Sequence, residues 1–143
     1  MEWFYNEHLV NAKEITFDIE TSGDAITCIG FAPSPSVALV IPFHDPRRPN
    51  GSFWETLETE QMAWNFVRRV LALPQPKSGQ NTLYDINFLW KKYGMWPNNY
   101  EDDTMLLHHA LQPESEKGLA FLGSVYTNES SWKLLRQKKT ATI

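Results

Sequence analysis

A chain of 143 residues, 42% apolar and 21% charged, suits a single globular domain built on one core and excludes a disordered or fibrous protein. Its net charge of −4 argues against capture of nucleic acid over the whole surface, though not against a site that gathers carboxylates around metal ions and attracts phosphate once they are bound. No apolar run approaches the ~20 residues of a membrane helix, so no membrane is expected as a partner. The start, MEWFYNEHLV, has no basic n-region and is no secretory signal. The lone Cys28 can form no internal disulfide; it is expected to be a small buried hydrophobe in a reducing, cytoplasmic setting.

Residues 14–20 (EITFDIE) alternate apolar and polar with β-branched members, the pattern of a strand. A turn at 21–24 leads to a second apolar run, 25–31, closed by Pro33 and Pro35, and a third run spans 37–43. Three runs joined by short turns predict an antiparallel meander, and HDPRRPNGS after them predicts a loop. Met62, Phe66, Arg69 and Val70 fall near a 3.6 period, predicting a helix over 57–73 stopped by Pro74. Residues 77–81 read as a short strand leading into a helix over 82–93, with Leu83, Ile86, Phe88, Leu89 and Trp90 apolar and Gly94 as its C-terminal cap. Asp103 or Thr104 is placed to cap a helix through Leu111, and 118–126 is expected to be helical again. The tail, 132–143, turns basic and loses its apolar face. The crossover through 57–73 makes the fourth strand parallel to the first, so the expected sheet order is 3-2-1-4-5 in a mixed α/β fold.

The chemistry lies in carboxylates. Asp18 and Glu20 stand two apart in the first strand, so both point to one face while Phe17 and Ile19 point to the other. Two anions on one face repel unless neutralised, and hard divalent cations such as Mg²⁺ or Mn²⁺ take such oxygen ligands; a solvent-facing polar edge is the plainer alternative. Asp85 falls one turn into the helix after Asn81, where the positive end of the macrodipole favours an anion. Gln80 and Asn81 offer amides that either bond a nucleotide or cap the turn, and Tyr84 either meets a base or joins the core. His108 and His109 are adjacent and cannot share a helix face, so one is expected buried and one exposed.

FDIET, followed some sixty residues later by GQNTLYDINFL, resembles the first and second motifs of the DEDD-type 3′–5′ exonucleases of the ribonuclease H-like superfamily. The closer likeness is to proofreading domains of family A, phage-type DNA polymerases, which carry an Asn four residues before the metal-binding Asp, as Asn81 precedes Asp85. The stretch EDDTMLLHHALQPESEKGLAFLGSVYT is similar to the run that follows there, and the likeness covers 15–133. It implies two divalent metal ions, Mg²⁺ or Mn²⁺, with Asp18 bridging them, Glu20 on the nucleophile side and Asp85 on the second ion. It also implies a single-stranded DNA 3′ end as partner, held by Thr21, Gln80, Asn81 and Tyr84. The family's third motif, a Tyr or His followed by an Asp, has no counterpart, since no Asp follows Asp103. Tyr126 to Glu129 is one residue too short and carries the wrong acid. The expectation is therefore one exonuclease-like domain over 1–143, cut short before the C-terminal helix. It would be weak or inactive alone and complemented by a further C-terminal segment or a polymerase domain. The competing expectation is a non-catalytic ribonuclease H-like module that binds nucleic acid or scaffolds a polymerase.

Overall fold

A computed structural model describes residues 1–130, so the expectation of a basic tail lies outside the described residues. The chain forms two compact units, Met1–Asp103 and Thr104–Ile143.

The first unit is built on the sheet that the alternation predicts. β1 (Ile15–Ser22), β2 (Ala25–Ser34), β3 (Val37–Pro42), β4 (Lys77–Gly79) and β5 (Tyr100–Asp103) run in the order β3-β2-β1-β4-β5. β2 is antiparallel to β1 and β3, and β4 is parallel to β1, as expected; β5 is parallel to β4. Phe17 faces Phe31, and Ile19 faces Ile29, which faces Ile41, so one side of the sheet is a continuous apolar layer. Helix α2 (Leu57–Leu71) packs Ala63, Phe66, Val67, Val70 and Leu71 into the same core. Phe17 and Phe31 are almost fully buried, which stabilises the fold by about 1.5–3 kcal/mol each. Met62, expected on the buried stripe, is exposed, because the stripe runs through Ala63 instead. Thr56 caps α2: its hydroxyl accepts from Thr59 N at 3.1 Å, while Thr59 Oγ1 accepts from Thr56 N at 3.2 Å.

An N-terminal helix that the sequence reading did not foresee, α1 (Glu2–Phe4), continues as a π-helical turn over Tyr5–Leu9 and buries Phe4 and Leu9. Lys77 begins β4 with its side chain fully buried. Its ammonium donates to Leu73 O, Gln75 O and Asn98 O at 2.6, 2.7 and 3.2 Å, tying the end of α2 to the turn before β5. Desolvation lowers its pKa to about 8.

β4 is shorter than the expected strand, and α3 (Thr82–Phe88) ends early, passing into a π-helical turn over Leu89–Tyr93. Gly94, at φ 61°, closes that turn in the left-handed conformation expected of it. Of the apolar residues of this segment, Ile86 and Leu89 are buried while Leu83 and Trp90 are exposed. Cys28 is half-buried, because it lies on the outer face of β2 opposite Glu20.

In the second unit, α4 (Thr104–Leu111) and α5 (Leu119–Tyr126) fall where expected. His108 is 2% exposed and His109 is exposed, the division that their adjacency requires. The His108 ring bonds the Tyr126 hydroxyl through Nδ1 at 2.9 Å and the Ser115 hydroxyl through Nε2, clipping α5 and the connecting loop to α4. No helix among the described residues is long and apolar enough to cross a membrane.

Candidate active site

β1 pairs with β4 only at Ile15 and Thr16. β1 then runs on to Ser22 while β4 ends at Gly79, so the far half of its edge needs another partner for its backbone. The start of α3 supplies one. Asp85 Oδ1 accepts from Ile19 N at 2.8 Å, filling a ladder position that a longer β4 would have occupied. The bond lands on the residue between Asp18 and Glu20, so the helix carboxylate meets β1 where the two strand carboxylates leave it.

Asp18 and Glu20 lie on the outer face of β1, exposed, with the small residues Gly30 and Cys28 opposite them on β2. The β1–β2 register shifts after Glu20, and Thr27 Oγ1 donates to Glu20 O at 3.0 Å across that irregularity. Thr21, just beyond it, shares a 2.7 Å hydroxyl–hydroxyl bond with Tyr84. Tyr84 is 51% exposed, so it lies at the rim of the site and not in the core. Gln80 is half-buried and Asn81 exposed at the β4–α3 junction. Asn81 has φ 56° and ψ 40°, a left-handed backbone that costs a non-glycine residue energy, and its side chain does not cap α3.

The cap comes from elsewhere. Asp103, 4% exposed at the end of β5, accepts from Asn81 N at 3.0 Å through Oδ1 and from Thr82 N at 2.7 Å through Oδ2. Sequence reading placed Asp103 at the start of the following helix and missed this bond to the preceding one. The available signal was an aspartate ending a strand next to the one that feeds α3.

Asp85 is 5% exposed. Burial raises its pKa to about 6; the Ile19 N–H opposes the shift, and the charges of Asp18 and Asp103 add to it. Metal-free, the negative charge of its neighbours thus adds to the burial that discourages ionisation of Asp85. The site's donors are all hard carboxylate oxygens, suited to Mg²⁺ or Mn²⁺ and unsuited to a soft metal. Among the described residues, no three His, Cys, Asp or Glu side chains gather closely enough to hold a metal ion.

Solved structures share this fold at low identity. RNase D of Escherichia coli, an exoribonuclease involved in structured RNA processing, matches with a TM-score of 0.62 and 17% identity over 94% of this chain and 34% of its own. NrnC of Brucella melitensis with bound Mg²⁺ matches at 0.59 and 16%, over 94% and 66%. The catalytic core of RRP6 from Trypanosoma brucei matches at 0.61 and 16%, over 94% and 34%. The chain thus spans at most about two thirds of these relatives. No curated protein matches the sequence. The family model described as 3′-5′ exonuclease covers residues 4–141. With the five-stranded sheet in its order and the carboxylates at the β1–α3 contact, the chain belongs to the 3′–5′ exonuclease family and has the ribonuclease H-like fold of the DEDD exonucleases.

Proposed function

We propose that this chain carries the nucleotide-removing site of a metal-dependent 3′–5′ exonuclease acting on a single-stranded DNA 3′ end, of the kind that proofreads for a polymerase inside the cell. The observation that carries the reading is the 2.8 Å bond from Ile19 N to Asp85, which brings a helix carboxylate to the strand residue flanked by Asp18 and Glu20. Asp18, Glu20 and Asp85 would hold the two divalent ions, Mg²⁺ or Mn²⁺. When bound, such ions lower the pKa of a water and neutralise charge on the phosphate. The chain's own part is positioning. Asp85 keeps one oxygen on the β1 backbone at Ile19, between Asp18 and Glu20, which lie on the outer face of the same strand. The Thr21–Tyr84 hydroxyl pair holds the terminal nucleotide at the rim, with Tyr84 offering a ring to a base irrespective of sequence. Gln80 and Asn81 approach the same nucleotide from the start of α3.

The test incubates the purified chain with 5′-labelled single strands of DNA and RNA, in Mg²⁺ or Mn²⁺, alongside Asp18→Ala and Asp85→Ala. The reading expects a ladder shortened from the 3′ end, faster on DNA, and lost in both variants. A faster ladder on RNA would overturn the DNA assignment; that outcome is supported by the likeness in fold to RNase D, an exoribonuclease. A second reading is a non-catalytic module that binds nucleic acid, favoured by the absence of a ready three-residue metal cage among the described residues. Strand binding without shortening, unchanged in Asp85→Ala, would select it.

A further inference from the structure

We infer that Asp103 is a positioning residue for this site: its carboxylate fixes where the first turn of α3 stands, and thereby where Asp85 meets β1. The inference rests on the proposed reading for what Asp85 is held to do, but its geometric part stands on bonds already described. α3 has seven helical residues before it changes to π geometry. Such a short helix holds its own first turn poorly, since nucleation is the unfavourable step. Asn81 contributes a left-handed backbone and no side-chain cap, so the turn needs an external anchor.

Asp103 provides a rigid one. A hydroxyl cap would accept from one amide and leave the helix start free to pivot. A carboxylate taking Asn81 N on one oxygen and Thr82 N on the other fixes both the position and the direction of the turn. Asp85 lies three residues after Thr82 on that turn. Its own carboxylate then closes onto Ile19 N, so the first turn is bracketed by β5 on one side and β1 on the other.

The experiment uses the full chain, ¹⁵N-labelled and metal-free, as wild type, Asp103→Asn, Asp103→Ala and Asp85→Ala. The Ile19 amide proton is the first readout, because a bond to a carboxylate shifts it downfield. The expected result is an upfield move of Ile19 in Asp103→Ala toward its position in Asp85→Ala, with the Ile29 and Phe31 amides unmoved. Asp103→Asn, which keeps one acceptor oxygen, falls between. Mn²⁺ affinity, followed by paramagnetic broadening, is the second readout, with a loss of about 10–100-fold expected in Asp103→Ala and partial recovery in Asp103→Asn. An Asp103→Ala protein that melts earlier but keeps the wild-type Ile19 shift would overturn the inference, leaving Asp103 an ordinary cap. Should Asp103→Ala not fold, Asp103→Asn decides by the same two readouts. A wild-type chain that binds no Mn²⁺ defeats the proposed function instead, and the Ile19 shift still decides the positioning role.

Discussion

Gly79 is where the site is most sensitive to a single added carbon. A Cβ at Gly79 would lie 2.6 Å from Thr82 Oγ1, 2.9 Å from the Phe17 carbonyl oxygen and 3.3 Å from Thr82 Cγ2. Ordinary contacts between such atoms begin near ~3.5 Å, so Gly79→Ala forces a separation of roughly half an ångström or more. Neither neighbour yields easily: Phe17 O belongs to the central strand, and Thr82 is fully buried at the start of α3. The helix start must therefore withdraw from β1, stretching the 2.8 Å bond between Ile19 N and Asp85. Overpacking of this kind costs about 1–3 kcal/mol. For a chain of this length that lowers Tm by about 3–12 °C. Differential scanning fluorimetry reads the Tm, and the Ile19 amide shift reads the displacement. A double-mutant cycle with Thr82→Ala separates the two contacts, since truncating Thr82 removes the hydroxyl clash and leaves the carbonyl one. Partial recovery in the double variant, with positive coupling, is expected. A Gly79→Ala chain melting within about 1 °C of wild type, with Ile19 unmoved, would refute the reasoning that the absent Cβ lets α3 close onto β1.

Asp85 has its pKa raised to about 6 in the fold against 3.8 for the ordinary side chain, so the folded protein holds that proton more tightly than the unfolded chain. Its stabilising contribution is complete below the unfolded value and is lost as pH rises through about 6; metal-free stability should fall between pH 4 and 7 by an amount on the order of 3 kcal/mol. Urea midpoints for wild type and Asp85→Asn check this, and an equal fall in both would assign it to other groups. Thr56→Ala removes the reciprocal cap of α2 and should cost about 1 kcal/mol, read as a lower urea midpoint at unchanged m-value. Tyr84→Phe deletes an exposed hydroxyl bond to Thr21, so stability should stay within about 0.5 kcal/mol while KM for a single strand rises; an unchanged KM would remove Tyr84 from the nucleotide's holders.

The sheet and half of the site were legible because strand periodicity is a local signal. Alternation alone separates Phe17 and Ile19 from Asp18 and Glu20, and the crossover rule then orders β3-β2-β1-β4-β5. Local signals fail where the backbone departs from the expected period. The helix predicted over 82–93 is α-helical only to Phe88 and passes into a π turn from Leu89, a change of angular step that no residue pattern in this segment signals. The N-terminal helix went unread for the same reason, being mostly π-helical and short. Asp103 was invisible in its actual role because it caps residues 21 and 22 positions earlier, and no periodicity spans such a loop. Cys28 stands in an apolar run that predicts full burial, whereas its register opposite Glu20 puts it on the open face.

The positions that break local rules are concentrated at one junction. Gly79 stands where any side chain would collide, Asn81 takes a left-handed backbone, Asp85 is a buried acid, and Asp103 is a second one beside it. Each departure disfavours folding by itself: a left-handed asparagine costs about a kilocalorie per mole or more, and a buried carboxylate is tolerated only when its oxygens are bonded. None is required to build the sheet, since β1, β2 and β3 form their apolar layer without them. An ordinary strand-to-helix turn would have used a serine cap, an α-helical approach and an apolar residue in place of Asp85. What the costly version achieves is a carboxylate held from two sides at the edge of the central strand, level with two more that leave its outer face. Strain of this kind persists where the surrounding structure over-determines it, and its concentration around Asp85 is the physical reason to look for the chemistry there.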